Sequence, residues 1–175
     1  MELKSRKDIR LPFYDYSENG VYFITICTFQ RMNTLCTILC RGDPRGLPRT
    51  KLSALGKIAD ETMTYIDGYE HVSVDKYVIM PNHIHMLVSL NTPFGESPKV
   101  NINRLIGAYK SKVSTEWLKI CKSESRIMGS VWQRSFMEHI IRNESDYLKH
   151  WQYIENNPLK WEFGQYFNSG QITFY

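Results

Sequence analysis

The sequence lacks several features that mark membrane proteins, secreted proteins and proteins stabilised by a structural zinc ion. No apolar run approaches the roughly 20 residues that a helix needs to cross a bilayer, and the polar start MELKSRKDIR lacks the apolar segment of a signal peptide. Cysteines are too few and too scattered for a disulfide framework: Cys27, Cys36, Cys40 and Cys121. Cys36 and Cys40 have no second Cys/His pair at ligand spacing to complete a zinc site. We expect a cytoplasmic protein without a membrane partner, with reduced thiols.

Length and charge predict one domain with a mild preference for polyanions. The 175 residues, 42% of them hydrophobic, suffice for one core but are short for two. We therefore expect a single domain over residues 1–175, with its core from about 20 to 161. The net charge of +4 suits a polyanion without specifying one. Basic residues gather in three places: Arg6, Lys7 and Arg10; Arg104, Lys110 and Lys112; Arg134, Arg142, Lys149 and Lys160.

The first part of the chain predicts a strand, an extended arm and a helix. Residues 20–30 (GVYFITICTFQ) have the β-branched and aromatic character of a strand buried on both faces. The Gly- and Pro-rich stretch 41–49 predicts an exposed loop beside an extended arm around 35–39. Helical spacing of apolar residues then predicts a helix from Ser53, which caps it, to Asp67, before Gly68.

The middle of the chain predicts a hairpin, a second helix and a fourth strand. Residues 72–80 and 83–90 indicate two strands joined by a tight turn at Pro81-Asn82. Apolar residues from Ile102 to Trp117 mark an amphipathic helix, and residues 131–141 (VWQRSFMEHII) indicate a more polar strand.

A closing helix follows the fourth strand. Asn143 can cap it, Glu144 and Asp146 place negative charge at its N-terminal end, and Pro158 is expected to end it at Asn157. The order of elements is strand, helix, strand, strand, helix, strand and closing helix. This order predicts an α+β fold of the ferredoxin-like, split βαβ type, an antiparallel sheet with its helices on one face.

His83 and His85 are the first candidates for chemistry. Two residues apart on a strand, their side chains leave the same face roughly 6–7 Å apart along the chain, within reach of one metal ion. Alternatively, the pair merely decorates a solvent-exposed face. The surrounding segment YVIMPNHIHMLV is strongly apolar, and polar rings in such a strand need a reason to be there.

Tyr153 is the candidate nucleophile, selected by its position on the closing helix. At 100° per residue it lies roughly 120° from the centre of the helix's apolar stripe, which is formed by Tyr147, Trp151 and Ile154. Alternatively, Tyr153 is a helix tyrosine without a role. Asn157 and Lys149, four residues to either side, share its face.

Together these residues predict an open site for Mg²⁺ or Mn²⁺. Two imidazole nitrogens from His83 and His85 and an amide oxygen from Asn157 leave positions for water and phosphate. The metal would act as a Lewis acid while the phenol attacks a phosphate, giving a 5′-phosphotyrosine and a free 3′-hydroxyl. A phenol with its usual pKa of about 10 needs help to ionise, from Lys149 or the metal.

These motifs resemble the HUH single-tyrosine transposases, that is, the IS200-like transposase domain. His83-Ile84-His85 is similar to the family's histidine pair, and the stretch from Trp132 to Trp161 resembles the REP-associated branch, whose tyrosine lies in a Tyr-Ile-x-x-Asn-Pro setting. The resemblance, from about Gly20 to Trp161, implies Tyr153 as nucleophile and His83, His85 and Asn157 as metal ligands. Mobile-element relatives have glutamine in place of the asparagine. It also implies single-stranded DNA with a REP-like palindromic hairpin as partner, and a monomer or a homodimer.

The DNA contacts are predicted from basic and aromatic residues around this site. Phosphates would be held by Arg134, Arg142 and Lys160, with Arg104 on the middle helix as a further contact. Trp132 and Phe136 either stack on unpaired bases or belong to the core. Arg142 alternatively pairs with Glu138. A short tetranucleotide beside the hairpin would be read by the basic N-terminus, Arg6 and Arg10.

The leading interpretation is therefore a metal-dependent transposase that cleaves and rejoins single-stranded DNA at hairpins. One alternative is a catalytically silent protein that binds the same hairpins. Another is an RNA-binding module, although the sequence lacks the Gly-Phe/Tyr-Gly/Ala-Phe strand signature of that class. A third is a phosphodiesterase that uses water and needs the histidines but not Tyr153.

Overall fold

The computed structural model of the protein describes residues 14–39, 48–97 and 100–162. Arg6, Arg10 and most of the 41–49 loop lie outside the described residues. Within them, no helix is both long and apolar enough to span a bilayer. The strands are β1 (Gly20–Cys27), β2 (Cys36–Leu39), β3 (Arg49–Leu52), β4 (Val72–Met80), β5 (His83–Leu90) and β6 (Met137–Ile141). The helices are α1 (Ala54–Glu61), α2 (Met63–Asp67), α3 (Ile102–Ser123) and α4 (Glu144–Glu162), with a 3₁₀ turn at Phe29–Arg31.

The main sheet has the predicted split βαβ topology. Its four strands lie in the order β4-β5-β1-β6, and every neighbouring pair is antiparallel. β2 and β3 form a separate two-stranded ribbon, so the predicted extended arm pairs with the residues just before α1. In the central pair, Thr25 of β1 faces His85 of β5 and Cys27 faces His83. This register sets the surroundings of both histidines.

The two faces of the sheet carry different helices. On one face, alternate residues of β1 and β5 pack against α1, α2 and α3 in the main core. On the other, Phe23 and Leu87 pack against Ile154 of α4. The predicted placement of helices on one face therefore holds for α1 to α3, while α4 covers the opposite face. Because both faces are covered, the predicted burial of β1 on both sides is confirmed, and its residues 22–27 are buried.

The first predicted helix is divided into two. Ser53 caps α1 as predicted, since its Oγ accepts a hydrogen bond from the Gly56 amide at 3.0 Å. The helix breaks at Thr62, whose buried hydroxyl donates to the carbonyl of Ile58 at 2.6 Å, a back-bond that bends helices. A Cβ at Gly56 would lie 2.0 Å from the carbonyl oxygen of Leu35, so only glycine lets α1 approach that closely.

The fourth strand is shorter than predicted. Only residues 137–141 pair with β1, and Trp132 contributes an isolated bridge to Thr28. The ammonium group of Lys110 donates to the carbonyl of Gln133 at 2.7 Å and to those of the next two residues. These carbonyls therefore bond to a side chain of α3 and not to a neighbouring strand.

The predicted end of the last helix at Asn157 is wrong. Asn143 caps α4 as predicted, through its Oδ1 and the amide of Asp146 at 2.9 Å, but the helix continues through Pro158 to residue 162. A proline inside a helix costs about 3 kcal/mol, because its nitrogen cannot donate to the carbonyl four residues earlier. Burial of Ile154 against Phe23 and Leu87 holds this part of the helix on the sheet and offsets that cost.

Candidate active site on the second face of the sheet

His83 and His85 lie side by side at the centre of the face that α4 covers. Their side chains leave β5 on the same side, as predicted, and their ring centroids are 4.4 Å apart. Only 6% of His83 and 4% of His85 is exposed. The alternative of two histidines decorating a solvent-exposed face is therefore wrong.

Hydrogen bonds fix the orientation of both rings. The Nδ1 atom of His83 lies 2.7 Å from Oδ1 of Asn82, and that of His85 lies 2.8 Å from Oγ1 of Thr25. An amide oxygen only accepts, so Nδ1 of His83 carries the proton and its Nε2 keeps a lone pair. If the Thr25 hydroxyl accepts likewise, Nε2 of His85 is also available. Metal-binding histidines in proteins are typically oriented in this way.

Both imidazoles are held in the neutral form. Burial, with a smaller contribution from the charge of Arg31, lowers the pKa of His83 to about 4, while the nearby Asn157 side chain acts in the opposite direction. Burial also lowers the pKa of His85 well below its usual value, assisted by His83, His150 and Arg31. Neutral imidazole is the form that binds metal ions, so both rings are ready as ligands at neutral pH.

Helix α4 brings Tyr153 to this pair. The Tyr153 ring centroid lies 5.2 Å from that of His85 and 5.9 Å from that of Phe23, both in edge-on arrangements. The predicted apolar stripe of Tyr147, Trp151 and Ile154 packs against the sheet and sets the rotation of the helix. Tyr153 is half-buried at the edge of this contact. Lys160, predicted to contact DNA, has its Nζ 5.1 Å from the centroid of the Tyr153 ring.

Asn157 lies one helical turn after Tyr153 and is fully buried. Its side chain lies close enough to His83 to bond the protonated ring, but beside the neutral ring neither amide atom meets a hydrogen-bond partner within the described part of the chain. A buried polar group left unpaired costs about 1–3 kcal/mol, so such a group calls for a ligand that completes it. An amide oxygen beside neutral imidazoles suits a small divalent cation that also keeps water ligands. The residues present therefore fit the predicted metal.

Most of the described basic residues that were predicted to bind DNA are exposed. Arg104, Arg134 and Arg142 all have exposed side chains, so they are free to meet a phosphate backbone. Lys149 is exposed in a shallow hollow on the outside of α4, where it lies beside Glu144, Ser145, Leu148 and Gln152. Glu138, the alternative partner of Arg142, accepts a hydrogen bond from the Tyr16 hydroxyl at 2.8 Å.

Trp132 belongs to the core. Only 9% of its side chain is exposed, its Nε1 donates to the carbonyl of Lys110 at 3.1 Å, and its ring packs near that of Tyr109. Phe136 is buried in the same core cluster. The prediction that Trp132 stacks on DNA bases needs an accessible ring, and it is therefore wrong. The core alternative is what the structure shows.

Several residues of the site were not found from the sequence. Phe23 stacks on His85 with centroids 5.1 Å apart, and Thr25 bonds to the same ring. Both lie on β1, and only the register of the strands brings them to the histidines. His150 packs against Phe23 at 4.6 Å and precedes Tyr153 by three residues, a helical spacing that would have indicated a shared face.

Comparisons with known proteins identify the family of this chain. A family model described as "Transposase IS200 like" matches residues 52–157, more than half of the chain. An uncharacterized protein of Haemophilus influenzae is 31% identical over 173 residues, which cover 91% of this chain and 92% of that protein. The REP-associated tyrosine transposase of Escherichia coli is 32% identical over 89 residues, 50% of this chain and 44% of that protein.

The fold is shared with a solved relative. The structure of a REP-associated tyrosine transposase bound to a REP hairpin matches with a TM-score of 0.58 at 20% identity, over 91% of this chain and 74% of that chain. The matched fold and the matched family model point to the same family. The chain belongs to the IS200-like transposase family and is related to its REP-associated tyrosine transposases.

Proposed function

We propose that this protein cleaves and rejoins single-stranded DNA beside palindromic hairpins, with Tyr153 as the nucleophile. The observation that carries the proposal is the meeting of three features on one face of the sheet. Tyr153 lies 5.2 Å from the His85 ring, both histidines are buried and neutral, and the buried Asn157 amide has no partner among the described residues. A face that served only to hold α4 would have no use for unpaired buried polar groups.

His83, His85 and Asn157 are the residues that would hold Mg²⁺ or Mn²⁺. When bound, such an ion would supply Lewis-acid stabilisation of the negative charge that develops on the phosphate. The protein's own contribution is to keep the imidazoles neutral by burial and to fix their orientation through Asn82 and Thr25. The packing of α4 on the sheet holds the tyrosine and the asparagine at a constant separation from the histidines.

The proposed reaction is a transesterification in which the Tyr153 hydroxyl is the nucleophile. Its oxygen attacks a DNA phosphorus as the phenol loses its proton, a bond from Tyr153 to phosphorus forms, and the bond from phosphorus to the 3′-oxygen breaks. The 3′-oxygen takes up a proton and leaves as a hydroxyl. In the rejoining step a 3′-hydroxyl attacks the 5′-phosphotyrosine and releases the phenol, so no external energy source is required.

Two lysines are candidates for stabilising the phenolate. Lys149 was predicted from helical spacing, whereas the ammonium of Lys160 lies over the Tyr153 ring, 5.1 Å from its centroid. Of the two lysines, Lys160 is the one whose ammonium group contacts the ring of the proposed nucleophile. We therefore assign this role to Lys160 and leave Lys149, on the exposed side of the helix, as the second choice. Replacing each lysine in turn by Met compares the two.

The DNA partner is proposed from chemistry and from the relatives. The solved relative is bound to a REP hairpin, and this chain has a net charge of +4 with exposed Arg104, Arg134 and Arg142. Such residues suit phosphate contacts, which hold a nucleic acid in place without reading its sequence. Arg6 and Arg10 are proposed as further contacts.

The test is a denaturing gel of the full chain with labelled single-stranded hairpin DNA and Mn²⁺. We expect a covalent protein–DNA band that disappears with Tyr153→Phe and with chelator. Tyr147→Phe is the matched control, because Tyr147 lies on the same helix and its hydroxyl makes only a 3.3 Å hydrogen bond to Asp75. This variant should still form the adduct.

The other outcomes separate the alternatives. Hairpin binding that survives Tyr153→Phe and chelator, without any adduct from the unsubstituted protein, would contradict the proposal and indicate a silent binder. Cleavage that survives Tyr153→Phe would indicate hydrolysis by water. Equal binding of a single-stranded RNA of the same sequence would favour an RNA-binding module.

A further inference from the structure

A second group of metal-ligand side chains lies where β6 meets α4. His139 belongs to β6, while Asp146 and His150 lie in the first and second turns of α4. The Nε2 atom of His139 is 2.8 Å from one carboxylate oxygen of Asp146, and Nδ1 of His150 is 3.2 Å from the other. One ligand atom from each of the three residues lies within 4.8 Å of the other two. From the sequence, Asp146 was noted only as a negative charge at the start of the closing helix, and the two histidines were not noted.

These distances are close to those between neighbouring ligands of one metal ion. With metal–ligand bonds of about 2.1 Å, adjacent ligand atoms are about 3.0 Å apart in an octahedral site and about 3.4 Å apart in a tetrahedral one. The two imidazole rings are nearly parallel, with an interplanar angle of 21° and centroids 4.7 Å apart. To bind a common ion the two rings must first turn toward each other, because each lone pair lies in the plane of its ring. Nδ1 of His150 must also leave its 2.8 Å hydrogen bond to the backbone carbonyl of Asp146.

The site is open on one side. His139 has 45% of its side chain exposed, whereas the side chains of Asp146 and His150 are about one-fifth exposed. Solvent thus reaches the cluster from the His139 side, which provides an entry path and room for water ligands. Two imidazoles and one carboxylate with open positions are a ligand set for first-row transition metals, and Mg²⁺ prefers all-oxygen surroundings.

We propose that His139, Asp146 and His150 form a second divalent-metal site, separate from His83 and His85, that takes a transition metal such as Zn²⁺, Co²⁺ or Ni²⁺. The ion would join the end of the sheet to the start of the helix that carries Tyr153. His150 also packs on Phe23 with centroids 4.6 Å apart, and Phe23 stacks on His85. A metal here would therefore stiffen both the helix and the ring on which His85 rests.

The test is a titration of the full chain with Co²⁺, without DNA, followed by its visible absorption and by calorimetry. We expect His139→Gln to bind one equivalent of Co²⁺ fewer than the unsubstituted protein. Co²⁺ should also raise the melting temperature of this variant by less than that of the unsubstituted protein. Asp146→Asn, which keeps the shape of the side chain, should lose the same equivalent. The matched control is His71→Gln, because His71 also lies near two carboxylates, at 3.4 and 3.5 Å from Glu70 and Glu96.

The comparison of Co²⁺ binding by His139→Gln and by the unsubstituted protein tests this proposal independently of the proposed function. If His83 and His85 also bind Co²⁺, the unsubstituted protein takes two equivalents and His139→Gln takes one; if they do not, the counts are one and none. Equal Co²⁺ binding by His139→Gln and the unsubstituted protein would overturn the second site. Equal binding with a lower free energy of unfolding would show that the cluster is a hydrogen-bonded network only.

Discussion

The two faces of the main sheet are built from the same strands but from different chemistry. Toward α1, α2 and α3, the even-numbered residues of β5, and of β1 after Gly20, are mainly apolar and buried, including Tyr22, Ile24, Ile84 and Met86. Toward α4, the odd-numbered positions hold Thr25, His83 and His85, with the smaller apolar cluster around Phe23 and Leu87. Both faces are buried, and the two histidines of β5 lie on the second.

Within the pair of strands β1 and β5, one face therefore provides stability and the other carries the residues of the candidate site. Burial of apolar side chains contributes about 25 cal/mol per Å², so the first face supplies most of the folding free energy. Buried imidazoles and an unpaired amide oppose folding. A protein tolerates such groups where they serve chemistry, and the stability of the first face is what allows the second to carry them.

The largest expected effect is at the tightest contact of the first face. Gly56→Ala would place a Cβ 2.0 Å from the Leu35 carbonyl oxygen, so α1 must move away from that loop. We expect a loss of at least about 4 kcal/mol in the free energy of unfolding, the upper end for single substitutions. Urea unfolding followed by circular dichroism measures it.

Gly107→Ala is the matched control for this substitution. Gly107 lies inside α3, and a Cβ there meets nothing within 4 Å. Alanine should therefore stabilise the helix by about 0.5–1 kcal/mol. Similar effects of the two substitutions would contradict the close packing of α1 on Leu35.

A smaller effect, on the second face, is acid sensitivity. The pKa of His83 is about 4 in the folded protein and 6.5 without the fold, with burial as the main cause. Between these values the unfolded chain binds a proton that the folded protein does not, so stability falls as the pH is lowered from 6.5 toward 4. For His83 alone we expect a loss of about 2–3 kcal/mol by pH 4.5, and His85 adds to it.

This prediction is checked by urea unfolding in chelator at pH 7 and pH 4.5. His83→Asn lacks the titrating group, and its stability should depend less steeply on pH by the amount assigned to His83. An identical pH dependence of the variant and the unsubstituted protein would show that the acid sensitivity arises elsewhere.

The sequence predicted the fold well because each main element has its own local signal. The β-branched and aromatic run of β1, the turn between β4 and β5, the Ser53 cap and the Asn143 cap are all properties of a few neighbouring residues. The failures come from contacts between distant parts of the chain. Trp132 was predicted to lie in a strand, yet the ammonium group of Lys110 in α3 accounts for the carbonyls that follow it. Its ring packs in the core, which was one of its two predicted positions.

The sequence predicted which residues form the site but not how the helix that carries Tyr153 packs against the strand that carries the histidines. Helical spacing indicated that Tyr153 and Asn157 share a face, and strand spacing did the same for His83 and His85. That α4 lies on the histidine side of the sheet depends on long-range packing, which no window of the sequence contains. The cluster of His139, Asp146 and His150 depends on the same packing, since it joins a strand to a helix.

The most direct measurement compares Asn157→Leu with Asn156→Leu, because Asn156 is the exposed neighbour on the same helix. For Asn157→Leu in chelator we predict an unfolding free energy equal to or about 1 kcal/mol above that of the unsubstituted protein, since an unpaired buried amide is removed. With Mn²⁺, the Asn157→Leu variant should form no covalent DNA adduct. Asn156→Leu should keep both the adduct and the unfolding free energy of the unsubstituted protein. A marked loss of stability by Asn157→Leu with the adduct retained would contradict the assignment of the second face to chemistry.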